Sequence, residues 1–282
     1  NGMGVLARDM ERFDVGIELL RRAIKREKRN AQFHNNLGTI LERAERFDEA
    51  LSEYKRAAKL SPKNPLVQNN IGSVLAKMNR RAEAMIAFRK AIEYGATHPE
   101  TLVNYATIVS DFGDYAAAEP FFRRAFEQAP DHPSSHFNWG AHMLRQGLWE
   151  EAWQHYEWRF RASGSGIVPR HFPQPLWNGS LLGDARLILW GEQGIGDEIR
   201  FAGMFPDALD QGGQVTIECE PRLVTLFQRS FPSARIVAAL YGPAEDGQEA
   251  FEVMCPAGTL GRLFRPTTDA FPDTKGDLSA DP

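Results

Sequence analysis

The chain is 282 residues long, with 43% hydrophobic and 25% charged residues, the make-up of an ordinary globular protein, which excludes collagen-like, low-complexity and wholly disordered architectures. Its 33 basic and 37 acidic residues leave a net charge of -4, too balanced for non-specific nucleic-acid binding, so no nucleic-acid partner is expected. Cys219 and Cys255 are too few for a disulfide framework or a cysteine zinc site, no apolar run reaches the roughly 18 residues of a membrane span, and residues 1–12 lack an export signal, so a cytoplasmic location is expected.

At roughly 100 to 200 residues per domain, the length suggests two domains. Residues 1–160 hold 23 basic and 21 acidic residues, whereas 161–282 hold 10 and 16. Helical patterning gives way at the same place to short β-rich runs punctuated by Gly and Pro, so a boundary is expected near Phe160.

Residues 1–160 repeat themselves. Gly4, Gly38, Gly72 and Gly140 stand at multiples of 34 residues, with Ala106 filling the gap. Twelve residues on come Gly16, Ala50, Ala84, Ala118 and Ala152, and four further on the large Leu20, Tyr54, Phe88, Phe122 and Tyr156. Three beyond those are Ala23, Ala57, Ala91 and Ala125, a series that Arg159 breaks. Each small residue lets two helices approach and each large one fills the hole opposite, so the pattern predicts stacked helix-turn-helix units, the first lacking most of its opening helix. The spacing, with Pro62 and Pro130 closing two units, resembles the tetratricopeptide repeat, which implies an α-superhelix with a concave face that binds peptides or proteins.

Two residues before each small position stand Asn36, Asn70, Asn104 and Asn138. An amide donates and accepts at once, so such a ladder suits an extended peptide backbone; the alternative is that Asn there stabilises contacts between repeats. Arg43, Lys77 and Arg145 share another position, interrupted by Asp111, a mixed stripe. The basic run from Arg21 to Arg29 contains Glu27 and reads as a solvated helix face. His132 and His136 stand four apart with Pro133 between them, poor spacing for a metal, and none is expected.

Residues 161–185 read as a linker, opening with Gly and Ser and closing with the proline-restrained segment around Trp177, a candidate anchor. Residues 186–282 read as an α/β half-domain. Strands are expected at 187–190, 214–218, 234–238 and 251–254, with helices from Asp197 to about Leu209, at 221–229 and around 259–264. Such alternation builds an open parallel sheet of Rossmann-like form. The first strand leads into the loop Gly191, Glu192, Gln193, Gly194, Ile195, Gly196, after which Asp197 is expected to cap the helix. The glycine spacing differs from the dinucleotide fingerprint, and Asp197 and Glu198 bring negative charge where a pyrophosphate would sit, so no NAD and no other bound cofactor is expected.

The stretch from Trp190 through Gly196 and Asp197 to Ala202, with the preceding Pro-Gln-Pro-Leu-Trp-Asn-Gly and the later run from Glu252 to Phe264, resembles heptosyltransferase-like glycosyltransferases joined to tetratricopeptide repeats. The resemblance implies the acceptor-side, N-terminal half of a GT-B fold, with Asp197 as general base and Gly191, Glu192, Gln193, Gly194 and Gly196 as acceptor loop. It further implies an inverting enzyme using a nucleotide sugar as co-substrate, a donor half beyond Pro282 without which this chain is inactive, and an acceptor such as flagellin or another surface protein. The fold class expected is thus a tetratricopeptide α-superhelix over 1–160 followed by a Rossmann-like half-domain. The alternative function is a non-catalytic repeat scaffold carrying a degenerate α/β domain.

Overall fold

The computed structural model describes residues 2–162, 167, 170, 172–192, 194–239, 251–273, 278 and 279, with side chains from residue 12 onward. Gln193 lies outside the described residues. The chain divides into two compact units, Asn1–Ser135 and His136–Pro282.

The first unit opens with α1 (Gly2–Arg26), followed by the pairs α2 (Ala31–Arg43) with α3 (Phe47–Leu60), α4 (Pro65–Lys77) with α5 (Arg81–Glu93), and α6 (Pro99–Asp111) with α7 (Tyr115–Gln128). Where the repeat pattern places a turn between Gly4 and Gly16, α1 runs unbroken, since no Gly, Pro or Asn stands between residues 5 and 15 to stop it. Among the later helices, α2 and α4 start on side-chain caps. The Asn30 side chain accepts from the backbone N–H of Gln32 and Phe33, Asn64 does the same for Leu66 and Val67, and Pro65 and Pro99 occupy first turns.

Within each pair the chain reverses through one left-handed residue, and these too recur every 34 residues: Glu45 (φ 57°), Asn79 (φ 58°), Gly113 (φ 86°) and Gly147 (φ 75°). The small residues work as the pattern requires. A Cβ on Gly72 would lie 2.7 Å from the ring of Phe88, itself 1% exposed. Tyr54, Phe88 and Phe122 are all buried against this row.

The second unit begins with α8 (Pro133–Arg145, from its fourth residue) and α9 (Trp149–Tyr156), then a 3-10 turn, Glu157–Phe160. Strands β1 (Gly183–Trp190), β2 (Gly212–Cys219), β3 (Arg235–Ala238) and β4 (Val253–Pro256) form a parallel sheet of order β3-β2-β1-β4. Leu187 aligns with Val215 on one side and Val253 on the other, and Leu187 to Trp190 are all buried, as a continuous apolar run in a central parallel strand requires. The helices are α10 (Ile195–Ala202), α11 (Phe205–Leu209), α12 (Val224–Ser230) and α13 (Leu260–Phe264).

Three expectations are corrected here. By packing, the division falls at residue 135 and not near 160, because Trp153 and Tyr156 of α9 share one core with Leu187, Leu189 and Phe201. The closing part of the expected linker is built into the sheet domain. Trp177 is 2% exposed and its backbone N–H donates to the Met254 carbonyl at 2.8 Å. The helix expected from Asp197 to Leu209 starts earlier and breaks: extended Gly194 occupies the cap position, Asp197 sits in the first turn, and α10 ends on Gly203 before α11 starts at Phe205 with Pro206 in its first turn.

Two substitutions probe the repeat geometry with opposite signs. Gly72→Ala forces a methyl into the Phe88 ring and should destabilise the first unit by about 1–3 kcal/mol. Glu45→Gly relieves a side chain held at positive φ and should stabilise it by about 0.5–1 kcal/mol. Urea midpoints of the two variants should move to opposite sides of the parent value.

Candidate functional site

In the first unit, the asparagine positions differ in what they touch. Asn36 Oδ1 accepts from Gln32 Nε2 at 2.8 Å. Asn70 Nδ2 donates across to Asn35 Oδ1 of the preceding repeat at 3.0 Å, so this amide ties repeats together. Asn104 is exposed and makes no side-chain hydrogen bond among the described residues. Asn138 belongs to the second unit, where it is half-buried and engaged. A second set of ties, unnoticed in the pattern, uses the residue before each rung: buried Asn35 meets Asn70, and Asn69 Oδ1 accepts from Thr101 Oγ1 at 2.8 Å. The Asn-Asn doublets at 35–36 and 69–70 were its visible signal.

The charged stripe is largely neutralised. Lys77 pairs with Glu42 at 2.8 Å and Asp111 with Arg81 at 3.1 Å, while Arg43 stays exposed with no acid partner among the described residues. Glu42 also accepts from Tyr54 Oη at 2.7 Å and Ser73 Oγ at 2.9 Å. One repeat later Ala76 replaces Glu42, and the buried Thr107 hydroxyl has no partner among the described residues.

In the second unit, the loop after β1 is held by an ion pair that the repeat pattern signals only as an irregularity. Arg159 stands where other repeats have Ala and is 0% exposed. Its Nε donates to Glu192 Oε2 at 2.6 Å, its Nη2 to Glu192 Oε1 at 3.0 Å and to Thr259 Oγ1 at 2.9 Å, and its Nη1 to Glu157 Oε1 at 2.9 Å. Glu192 also accepts from the Gly258 N–H at 2.6 Å. Burial by itself disfavours a charged guanidinium, but Glu192 and Glu157 outweigh it and hold Arg159 more firmly protonated than usual. Glu192, expected in the acceptor loop, is therefore turned inward and holds the loop in place.

The other loop residues divide in the same way. Gly191 has no room for a side chain because Glu198 packs against it, whereas at Gly194 and Gly196 a Cβ would meet no described residue within 4 Å apart from chain neighbours and the helix's own backbone. The neighbouring acids point apart. Glu198 is buried and accepts from the Glu220 N–H at 2.9 Å, and burial holds its carboxyl above the usual range. Asp197, with a side chain 29% exposed, ion-pairs with Arg200 one turn on. Cys219 nearby is no thiolate at neutral pH, since burial and the surrounding glutamates push it up to about 12.

Asp197 and Arg200 lie on the wall of a cavity of about 670 Å³ whose other walls include Trp149, Trp153, Tyr156 and Phe271. The indole N–H of Trp153 donates to the Arg265 carbonyl at 2.8 Å and that of Trp149 to Thr268 Oγ1 at 3.1 Å. Arg265 is engaged bidentately by Asp207, at 2.9 and 2.7 Å. What these groups offer the cavity is mostly apolar ring surface. Among the described residues, no group of three His, Cys, Asp or Glu is placed to hold a metal ion, and no helix is long and apolar enough to cross a membrane.

The tetratricopeptide-repeat sequence pattern matches residues 1–65, 44–99 and 106–159, more than half of the chain. The chain belongs to the tetratricopeptide-repeat family. Protein FlbA of Caulobacter vibrioides is 34% identical over 153 residues, which cover 50% of this chain and 26% of FlbA, so the chain spans about a quarter of that relative's length. Among solved structures, YrrB, a tetratricopeptide protein with an unusual peptide-binding site, is similar at 21% identity and a TM-score of 0.46, covering 52% of this chain and 76% of its own. The type IV pilus biogenesis factor PilW is similar at 19% identity and a TM-score of 0.49, covering 57% and 74%.

The tetratricopeptide pattern thus runs through α9 and stops at the turn where Arg159 sits. Arg159→Ala should cost about 3–5 kcal/mol, because buried Glu192 loses the guanidinium that pairs with it. Thermal melting should show the loss in the second unit. A second expectation concerns His155, whose Nδ1 lies 2.7 Å from that of His136. Burial, then His136, holds the His155 pKa below its ordinary 6.5. The unfolded chain therefore binds protons more readily there, so stability is full above pH 6.5 and falls as pH drops from 6.5 toward the lowered value. His155→Gln should flatten the melting temperature between pH 7 and about 5.

Proposed function

We propose that this chain couples polypeptide capture by tetratricopeptide repeats to the acceptor-side half of an inverting, nucleotide-sugar-dependent glycosyltransferase working in the cytoplasm. The observation that carries this reading is the setting of Asp197. It stands in the first turn after the central strand, where the order β3-β2-β1-β4 has neighbours leaving in opposite directions, a place where open parallel sheets hold ligands. Gly194 and Gly196, which no packing contact requires, keep the approach open, and the aromatic cavity adjoins. In the reaction, Asp197 takes the proton from an acceptor hydroxyl as that oxygen attacks the anomeric carbon, and the nucleoside diphosphate departs with its electron pair. Arg200 and Arg265 are committed to Asp197 and Asp207, so neutralising the departing diphosphate falls, in this reading, to a donor-binding half.

The second reading, a repeat scaffold without catalysis, draws on the same Asp197–Arg200 pair, which gives the carboxylate a purely structural partner. A screen of nucleotide sugars and polypeptides with the full-length protein separates them. Under the first reading, Asp197→Asn should lower transfer by about 10²-fold or more while leaving the melting temperature unchanged. Transfer that survives the substitution, or no transfer from any donor, would favour the scaffold.

The Asn104 side chain is the discriminating rung for the repeats, because it is exposed and makes no side-chain hydrogen bond among the described residues. Asn104→Ala should weaken capture of an extended peptide several-fold with no change in stability, whereas Asn70→Ala should also destabilise the first unit by about 1 kcal/mol through loss of its bond to Asn35. Calorimetric titration beside thermal melts reads both.

A further inference from the structure

The cavity beside Asp197 has a wall whose origin lies in the repeats. Counting from the small residue of each first helix, the positions three before, one after and four after are Asn35, Thr39 and Glu42 in α2, and they carry the polar ties of that face. In α8 the same steps from Gly140 give Phe137, Ala141 and Leu144. All three line the cavity, together with Arg145, which keeps the basic character of Arg43 and Lys77 in its row. The row that is wholly polar in α2 loses one polar member in each of α4 (Ala76) and α6 (Val103) and is wholly apolar in the last repeat, where that face meets the aromatic residues Trp149, Trp153 and Tyr156.

The chemistry of the walls selects among ligands. A sugar buried here would need a partner for each hydroxyl, but both indole N–H groups and the Arg265 guanidinium are already engaged within the protein, which leaves mainly the Asp197–Arg200 pair at one wall for several hydroxyls. An apolar side chain needs none. The volume of about 670 Å³ takes a large side chain with its flanking backbone. Register with the interaction face of a tetratricopeptide array points to a polypeptide as the bearer of that side chain.

We propose that this cavity binds a large apolar side chain, aromatic or long aliphatic, of an extended polypeptide. The inference rests on the repeats being a polypeptide-binding module and is independent of whether Asp197 serves sugar transfer.

The test is calorimetric titration of the intact chain with blocked seven-residue peptides of serine and asparagine that differ only in a central phenylalanine, leucine or alanine, with no nucleotide sugar present. The phenylalanine and leucine peptides should bind about ten-fold or more tighter than the alanine peptide. Ala141→Leu, which fills the cavity from α8, should remove that preference and leave binding of the alanine peptide unchanged. Leu144→Gln on the same wall should act likewise and carries the test if Ala141→Leu does not fold. Equal affinity for the three peptides, or a preference that survives both substitutions, would overturn the proposal. So would binding of glucose or N-acetylglucosamine that Ala141→Leu abolishes without any peptide preference, since the cavity would then be a sugar pocket. Failure of sugar transfer in a separate assay leaves these outcomes untouched.

Discussion

A guanidinium with no solvent exposure, Arg159, holds the second unit together. A buried cation is tolerable only when acceptors replace the water it gave up, and Arg159 has them from three directions: Glu192 in the loop after β1, Glu157 in its own turn, and Thr259 after β4. The last repeat, the central strand and the edge strand are thereby fixed to one point. Glu192 in turn receives the Gly258 N–H, so the loop after β1 and the turn after β4 cannot move apart without taking a hydrogen bond from a buried carboxylate. The placement of Asp197, five residues on from Glu192, is a consequence of that fixed loop.

The same residue explains why the repeat changes character at its end. Three earlier second helices put Ala57, Ala91 and Ala125 at the step that Arg159 occupies, and all three are fully buried between helices. An arginine there has no place in a further stack of small-against-large helices. Instead α9 turns Trp153 and Tyr156 into the core of the sheet, and Gly261 of α13 lies where Trp153 leaves no room for a side chain. The apolar turn of the first-helix row in α8 belongs to the same transition, since Phe137 and Leu144 pack against that core.

Function follows from two kinds of surface that differ in how their polar groups are paired. On the first unit, the proposed peptide backbone would meet amides that do not tie repeats together, with the exposed Asn104 the clearest case. In the second, nearly every donor around the cavity is paired within the protein, which leaves ring surface and the Asp197–Arg200 pair to meet a ligand. A polypeptide fits both descriptions, one through its backbone and the other through a side chain.

The sequence alone determined whatever depends on periodicity: the 34-residue repeat, the small and large partners such as Gly72 and Phe88, and the four strands, because helix packing and buried parallel strands constrain residue type at every step. It also exposed Asp197, through the glycine loop before it. Tertiary structure decided how individual polar groups were used. Neighbours of the same chemistry, Asp197 and Glu198, or Glu192 in the same loop, face the cavity or the core according to contacts with residues 20 to 70 positions away, at Glu220 and Gly258. The start of α10 at Gly194 and the division at residue 135 were decided at that level as well. A local pattern records which side chains suit a helix or a strand; it does not record which distant partner satisfies a buried charge, and in this protein that partner is Arg159.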